Sequence, residues 1–145
     1  MATGEYELTT AFGGLYRRLG AVYWQVARRF GLTSQQVELL CQLHDQRPSF
    51  GELATMLGCD KTNVTGMVDR LERRGFVARE PDSEDRRITR AVLTEEGLAL
   101  RGEIRVALRE EFDSRLPRRG RAELIAALTT AAAALSAAPR MSETA

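Results

Sequence analysis

From Ser49 to Thr94 the chain runs SFGELATMLGCDKTNVTGMVDRLERRGFVAREPDSEDRRITRAVLT, and no other stretch constrains the fold as much. Ser49 and Glu52 are spaced as a capping box for a helix running to about Leu57. Gly58 supplies a turn, and Asp60 is the expected N-cap of a second helix. That helix keeps Val64, Met67 or Val68, and Leu71 on its inner side and ends at Gly75. The apolar period then shortens from that of a helix to that of a strand. Residues 76–80 and 87–93 read as strands around a turn at 81–84. Helix, turn, helix and charged ribbon is the order a winged helix-turn-helix requires. One helix braces, the next enters the major groove, and the ribbon carries arginines beside it. The pattern points to DNA binding rather than catalysis.

The flanks are helical. Leu8, Phe12, Leu15, Leu19, Val22, Val26 and Phe30 recur every three or four residues, a stripe over about six turns that Gly31 ends. Thr33 and Gln36 form another capping box, and Val37, Leu40, Cys41 and His44 follow on related faces until Pro48. Thr94 caps a helix with Glu95 and Glu96 in its first turn, running to about Arg115. Pro117 either breaks that helix or opens the next. Leu124, Ile125, Leu128, Ala132 and Leu135 make a last apolar stripe, and the tail after Pro139 is expected to fray. The expected architecture is mainly α, with a two-stranded β-wing and a helical dimerisation region from both termini. One domain spans 1–145, with dimerisation helices at 8–30 and 117–138. The winged lobe occupies 34–94, and a connecting helix 95–115.

Composition excludes more than it selects. With 145 residues, 43% of them hydrophobic, the chain can bury a core. No run approaches a membrane span, and the acidic start MATGEYELTT is unlike a secretion signal, so a cytoplasmic protein is expected. Two distant cysteines, Cys41 and Cys59, do not form a disulfide framework. A single histidine argues against most metal clusters, and no nucleophile, zinc or phosphate-loop motif occurs. No catalytic residue, metal or cofactor is expected. Net charge is only +1, and residues 61–90 hold eight basic against six acidic side chains. Total charge therefore supports nucleic-acid binding weakly, and pattern carries the argument.

The second helix of the pair presents Lys61, Thr62, Asn63 and Thr65 on its first turns. Lysine can pair with guanine, asparagine with adenine, and a threonine methyl can touch that of thymine. The bland alternative is a solvated helix start. Arg70, Arg73 and Arg74 lie further along, where they meet phosphates or neighbouring acids. At the ribbon tip, Asp85 and Arg87 are two apart and share a face if the chain is extended there. Against a functional pair stands a surface ion pair of little energetic value. Cys59 precedes a helix N-terminus, which could activate a thiol, though filling the turn is the plainer role. Cys41 reads as a buried helix residue.

The element order, together with LATMLGCDKTNVTGMVDRLERRGFV and the tip DSEDRR, resembles the MarR family of bacterial transcription regulators over residues 8–138. The most specific signals are VDRLERRGFV at 68–77 and Asp85–Arg86–Arg87 followed by Leu93–Thr94. The resemblance implies a homodimer with interleaved terminal helices, each subunit offering one winged helix to half of a pseudo-palindromic duplex. It implies that Asp85 orients Arg87 into the minor groove, with Arg86 beside it. It also implies a small-molecule cleft between the dimer helices and the DNA-binding lobe, for which Tyr16, Tyr23, Trp24 and His44 are the candidates. One departure is Gly66, where many members carry a long basic side chain. A glycine there either allows close backbone approach to DNA or is merely tolerated. The peroxide-sensing branch uses a cysteine in the first helix, and residues 8–30 contain none. The expected function is a sequence-specific DNA-binding regulator, a repressor relieved by a small molecule. The competing readings are a protein-binding winged helix and a cysteine-based redox regulator.

Overall fold

The computed structural model describes residues 2–43 and 45–136, with side chains from residue 7 onward. Eight elements follow in order: α1 (Ala2–Arg29), α2 (Ser34–Gln42), α3 (Phe50–Leu57), α4 (Lys61–Arg73), β1 (Val77–Pro81), β2 (Thr89–Leu93), α5 (Glu95–Arg115) and α6 (Arg121–Ser136). The chain forms two compact units, divided after Glu111.

In the first unit the helix ends are set by side chains. Thr33 and Gln36 form the full reciprocal cap: the Gln36 N–H donates to Thr33 Oγ1 at 3.1 Å, and the Thr33 N–H to Gln36 Oε1 at 3.0 Å. Gly58 ends α3 at φ 63°, a left-handed conformation that suits glycine. It sends the chain straight into α4, whose inner side is Val64, Met67, Val68 and Leu71, all buried. Leu39, Leu40, Leu43, Leu53, Val77 and Ile104 are buried as well, and α4 packs against α2, α3 and β1. The wing is an antiparallel pair, Val77 opposite Leu93 through Pro81 opposite Thr89. Its root is fixed twice. The Ala91 N–H donates to Pro48 O at 3.0 Å, and the Thr94 N–H to Phe76 O at 3.1 Å. Thr94 Oγ1 donates to Gly75 O at 2.5 Å and accepts from the Gly97 N–H at 3.0 Å, so it caps α5 as expected.

The two end helices contrast with this core. Among the described side chains of α1 only Val22, Val26 and Ala27 are buried, while Leu8, Phe12, Leu15 and Leu19 of the same stripe stay exposed. In the second unit α6 buries no residue, and Ile125, Leu128 and Leu135 lie open.

Several local expectations need correction. Only half of the Ser49 box forms. Ser49 Oγ accepts from the Glu52 N–H at 3.2 Å, but the Glu52 carboxylate turns to Arg90, a stronger partner than a backbone N–H. Asp60 occupies the N-cap position of α4 without making the side-chain bond. The strands are 77–81 and 89–93, so Arg87 belongs to the tip and Pro81 to a strand. Cys41 is half-buried rather than buried. The last helix starts at Arg121, since Pro117 and Gly120 keep the chain irregular before it. His44 and the tail after Pro139 lie outside the described residues.

Candidate nucleic-acid interface

α4 is strongly two-faced. With its inner side buried, Lys61, Thr62, Asn63, Arg70 and Arg73 are exposed, and Thr65 and Gly66 are half-buried. The Thr65 hydroxyl donates to the Lys61 carbonyl at 3.0 Å, which commits its proton and leaves its methyl as the group available for contact. A Cβ added at Gly66 meets nothing within 4 Å, so the fold itself does not demand glycine there.

The arginines of this region divide by what holds them. Arg74 donates to Gly31 O at 2.8 Å and Phe30 O at 3.4 Å, and lies over the Phe76 ring at 5.2 Å. It therefore ties α4 to the end of α1, where the sequence suggested a phosphate or acid contact. Arg79 pairs with Asp69 and Glu72 and stacks over Phe50, so it joins the wing to α4.

The tip forms a turn from Asp82 to Ile88. The Asp82 N–H donates to Ile88 O at 2.9 Å and the Ile88 N–H to Asp85 O at 3.0 Å. Asp85 and Arg87 do meet, but through this turn and not along an extended strand. Asp85 Oδ1 accepts from the Arg87 N–H and Nε, both at 3.1 Å, and Oδ2 accepts from Nη2 at 3.2 Å. The Arg87 guanidinium, and after it the Arg87 backbone N–H, hold the Asp85 carboxyl below its usual range. The Arg87 side chain is 90% exposed, so a forked grip on Asp85 presents a cation at the outermost point of the wing. Arg86 is exposed beside it.

Sequence reasoning missed the residues beneath the tip. Arg90 Nε donates to Asp82 Oδ1 at 2.6 Å, and its Nη1 to Arg47 O at 2.8 Å and Glu52 Oε1 at 3.4 Å. Asp82 Oδ2 accepts the N–H groups of Glu84 at 3.2 Å and Asp85 at 2.9 Å. Pro81–Asp82–Ser83 carried a legible signal for this, since aspartate in a turn bonds the backbone two or three residues on.

Of the ligand candidates, Tyr16 is 82% exposed and Trp24 53% exposed, with Arg28 lying over the Trp24 ring at 4.8 Å. Tyr23 alone among the three described turns inward. Burial pushes its hydroxyl pKa up, and the nearby Cys41 and Glu38 add to that. Burial also raises Glu38 and Cys41, although Arg101 and Arg105 pull Cys41 back. Arg101 of α5 was not anticipated. It is 7% exposed, its Nη2 donates to Cys41 O at 3.4 Å, and its buried Nε has no partner.

Residues 32–89 match the model of the MarR family. The transcriptional repressor NicR of Pseudomonas putida is 39% identical over 100 residues, which cover 66% of this chain and 63% of NicR. The chain thus spans less than two thirds of that relative's length. The structure of the transcriptional regulator BldR of Sulfolobus solfataricus shares the fold with a TM-score of 0.77 at 23% identity, covering 92% of this chain and 97% of BldR. BpsR of Bordetella bronchiseptica, whose DNA binding is regulated by 6-hydroxynicotinic acid, superposes with a TM-score of 0.66 at 26% identity over 85% of this chain and 91% of its own.

Proposed function

From the MarR-family domain that this chain carries at residues 32–89, we propose that the protein is a sequence-specific regulator of transcription that binds double-stranded DNA as a homodimer. The observation that carries the reading is the pairing of two exposed readers on one compact lobe. The first turn of α4 is open while its other face is locked into the core, and the wing tip holds Arg87 outward. Lys61, Thr62, Asn63 and Thr65 suit base edges in the major groove. Gly66 lets the helix backbone come close, and Arg70 and Arg73 suit phosphates. Arg87, oriented by Asp85 with Arg86 alongside, suits the negative potential of a narrow minor groove. A purely protein-binding winged helix leaves this arrangement without a use. A thiolate switch is disfavoured at Cys41, since burial opposes its ionisation.

The dimer reading rests on the apolar side chains left open on α1 and α6, which one subunit does not cover. With 1–145 taken as one functional chain, 8–30 and 117–138 are its dimerisation segments, 34–94 the winged lobe and 95–115 the connection. The duplex it fits is a pseudo-palindrome with half-sites about one turn apart. The decisive experiment is footprinting on a duplex that the protein itself selects from a random library. Two protected half-sites and an affinity falling steeply with salt are expected. Equal affinity for selected and scrambled duplexes would refute the reading.

Repression, relieved by a small molecule, completes the proposal. The buried Nε of Arg101 has no partner, and a buried guanidinium nitrogen without an acceptor is costly. Arg101, beside Cys41, which itself lies near Tyr23 and Glu38, therefore suits a small anionic or aromatic effector that supplies the missing acceptor. Exposed Tyr16 and Trp24 suit at most its entry route. Compounds that release DNA should lose their effect on Arg101→Gln, and undiminished release from that variant would place the effector elsewhere.

A further inference from the structure

The charged cluster below the wing tip is built as a continuous relay. At one end lie the segment entering α3, through Arg47 O, and the first turn of α3, through Glu52. Arg90 on β2 reaches both and also grips Asp82 at 2.6 Å. Asp82 in turn holds the Glu84 and Asp85 N–H groups, and Asp85 holds Arg87 by its backbone N–H and two guanidinium nitrogens. The chain of bonds thus starts on the helix-turn-helix and ends at the cation of the tip. Beyond Pro81 and Thr89, where the strand pairing stops, it carries the tip back to the helices.

We propose that Arg90 and Asp82 are positioning residues for DNA reading, fixing the tip so that Arg87 enters the groove in register with α4. Three features support this over an ordinary surface ion pair. Arg90 satisfies acceptors from three separate segments at once. Its side chain is 27% exposed and that of Asp82 15%, against 90% for Arg87, so the pair sits below the surface the tip presents. The Asp82 carboxylate has one oxygen on Arg90 and the other on the tip backbone, so it couples the two rather than merely neutralising a charge. The guanidinium bond is the main reason the Asp82 carboxyl is held below its usual range.

The inference rests on the proposed DNA binding, and a double-mutant cycle separates the two. Wild type, Arg90→Ala, Arg87→Ala and the double variant are titrated with a duplex selected by the wild-type protein, at fixed salt. Arg90→Ala should weaken binding roughly tenfold, the scale of a single groove interaction. In the Arg87→Ala background it should cost less than about twofold, because the residue it positions is already gone. Asp82→Asn nearly preserves shape while removing the charge, so it must reproduce the same non-additivity even if Arg90→Ala folds poorly. An Arg90 or Asp82 effect that persists in full without Arg87 overturns the inference and marks Arg90 as a direct phosphate contact. If wild-type protein shows no preference for its selected duplex, the DNA-binding reading itself fails.

Discussion

Gly97 is the position where the fold predicts its own weak point. It is buried in the first turn of α5, and a Cβ built there would lie 1.8 Å from the Phe76 carbonyl oxygen and 2.8 Å from its carbonyl carbon. Ordinary contact begins near 3.4 Å, so Gly97→Ala forces α5 and the root of the wing apart by about 1.6 Å. The obstacle is backbone, which cannot rotate away. The same oxygen accepts the Thr94 N–H at 3.1 Å, and Thr94 is the cap of α5, so the displacement strains that bond as well. Overpacking costs about 1–3 kcal/mol, and damage to the bond and cap adds about 1–2 kcal/mol. The better helix propensity of alanine returns about 1 kcal/mol. The net expectation is a loss of about 1–4 kcal/mol, set against the roughly 5–15 kcal/mol typical of a folded protein.

Denaturant unfolding measures this directly, provided the slope is unchanged between variants. Gly102→Ala is the internal control. It lies in the same helix, exposed, and its added Cβ meets nothing within 4 Å, so it should gain up to about 1 kcal/mol. Gly66→Ala in α4 should behave like that control. Opposite signs for positions 97 and 102 are the test. A Gly97→Ala protein as stable as wild type, or stabilised like the control, would show that the α5–wing contact is not as close as described.

Other expectations follow from the same geometry. Arg87→Ala should weaken binding to a selected duplex strongly and to random DNA less; equal affinity of variant and wild type at fixed salt would count against groove insertion. Asn63→Ala should broaden the selected sequence, and an unchanged motif in a site-selection experiment would remove Asn63 from base reading. Because burial raises the Cys41 thiol, the folded form keeps that proton better than the unfolded one. The associated stability is complete below the ordinary thiol pKa of about 8.5 and is lost as pH rises beyond it. Cys41→Ala should flatten that alkaline decline, and Cys41 should alkylate more slowly in native protein than in urea at pH 8. The free protein should scatter light as a dimer at micromolar concentration, with a monomeric mass refuting the role given to the open faces of α1 and α6.

Where the sequence is informative, the reason is local. The Thr33 box, the Gly58 turn, the inward face of α4 and the Thr94 cap each depend on residues within a turn or two of one another and form as expected, with both Met67 and Val68 buried where one or the other was expected. The corrections involve partners that sequence spacing does not bring together. Glu52 leaves Ser49 for Arg90, which is 38 positions away. Arg74 is taken by carbonyls at the end of α1, 43 and 44 residues back. Asp85 and Arg87 pair as the sequence suggests but for a different backbone reason, because the Asp82 turn bends the tip where an extended strand was expected. Arg101 carries no signal at all in the sequence, being one arginine in a helix whose exposed face is already charged. The lack of a partner for its buried Nε is a property of what surrounds it.

Tertiary structure also resolves the puzzle of a nearly neutral chain that reads as a DNA binder. The acids do not dilute the basic surface evenly. Asp69 and Glu72 engage Arg79, Glu80 engages Arg47, and Asp82 with Glu52 engages Arg90, so these acids are committed to holding the lobe together. Lys61, Arg70, Arg73 and Arg86 are exposed on α4 and the tip, and Arg87 carries its own orienting acid while remaining 90% exposed. The field a duplex meets is thus set by the side chains left outside the network, not by the net charge of +1. A consequence is measurable in salt. Each phosphate left without its protein cation should reduce the slope of log affinity against log salt by about 0.9. Replacing Arg73 by alanine should therefore lower the slope by about one and reduce affinity for all duplexes alike. Replacing Arg79, whose charge is internally matched, should leave the slope unchanged and act on stability instead. Identical slopes for wild type and Arg73→Ala would show that the exposed arginines of α4 lie off the duplex.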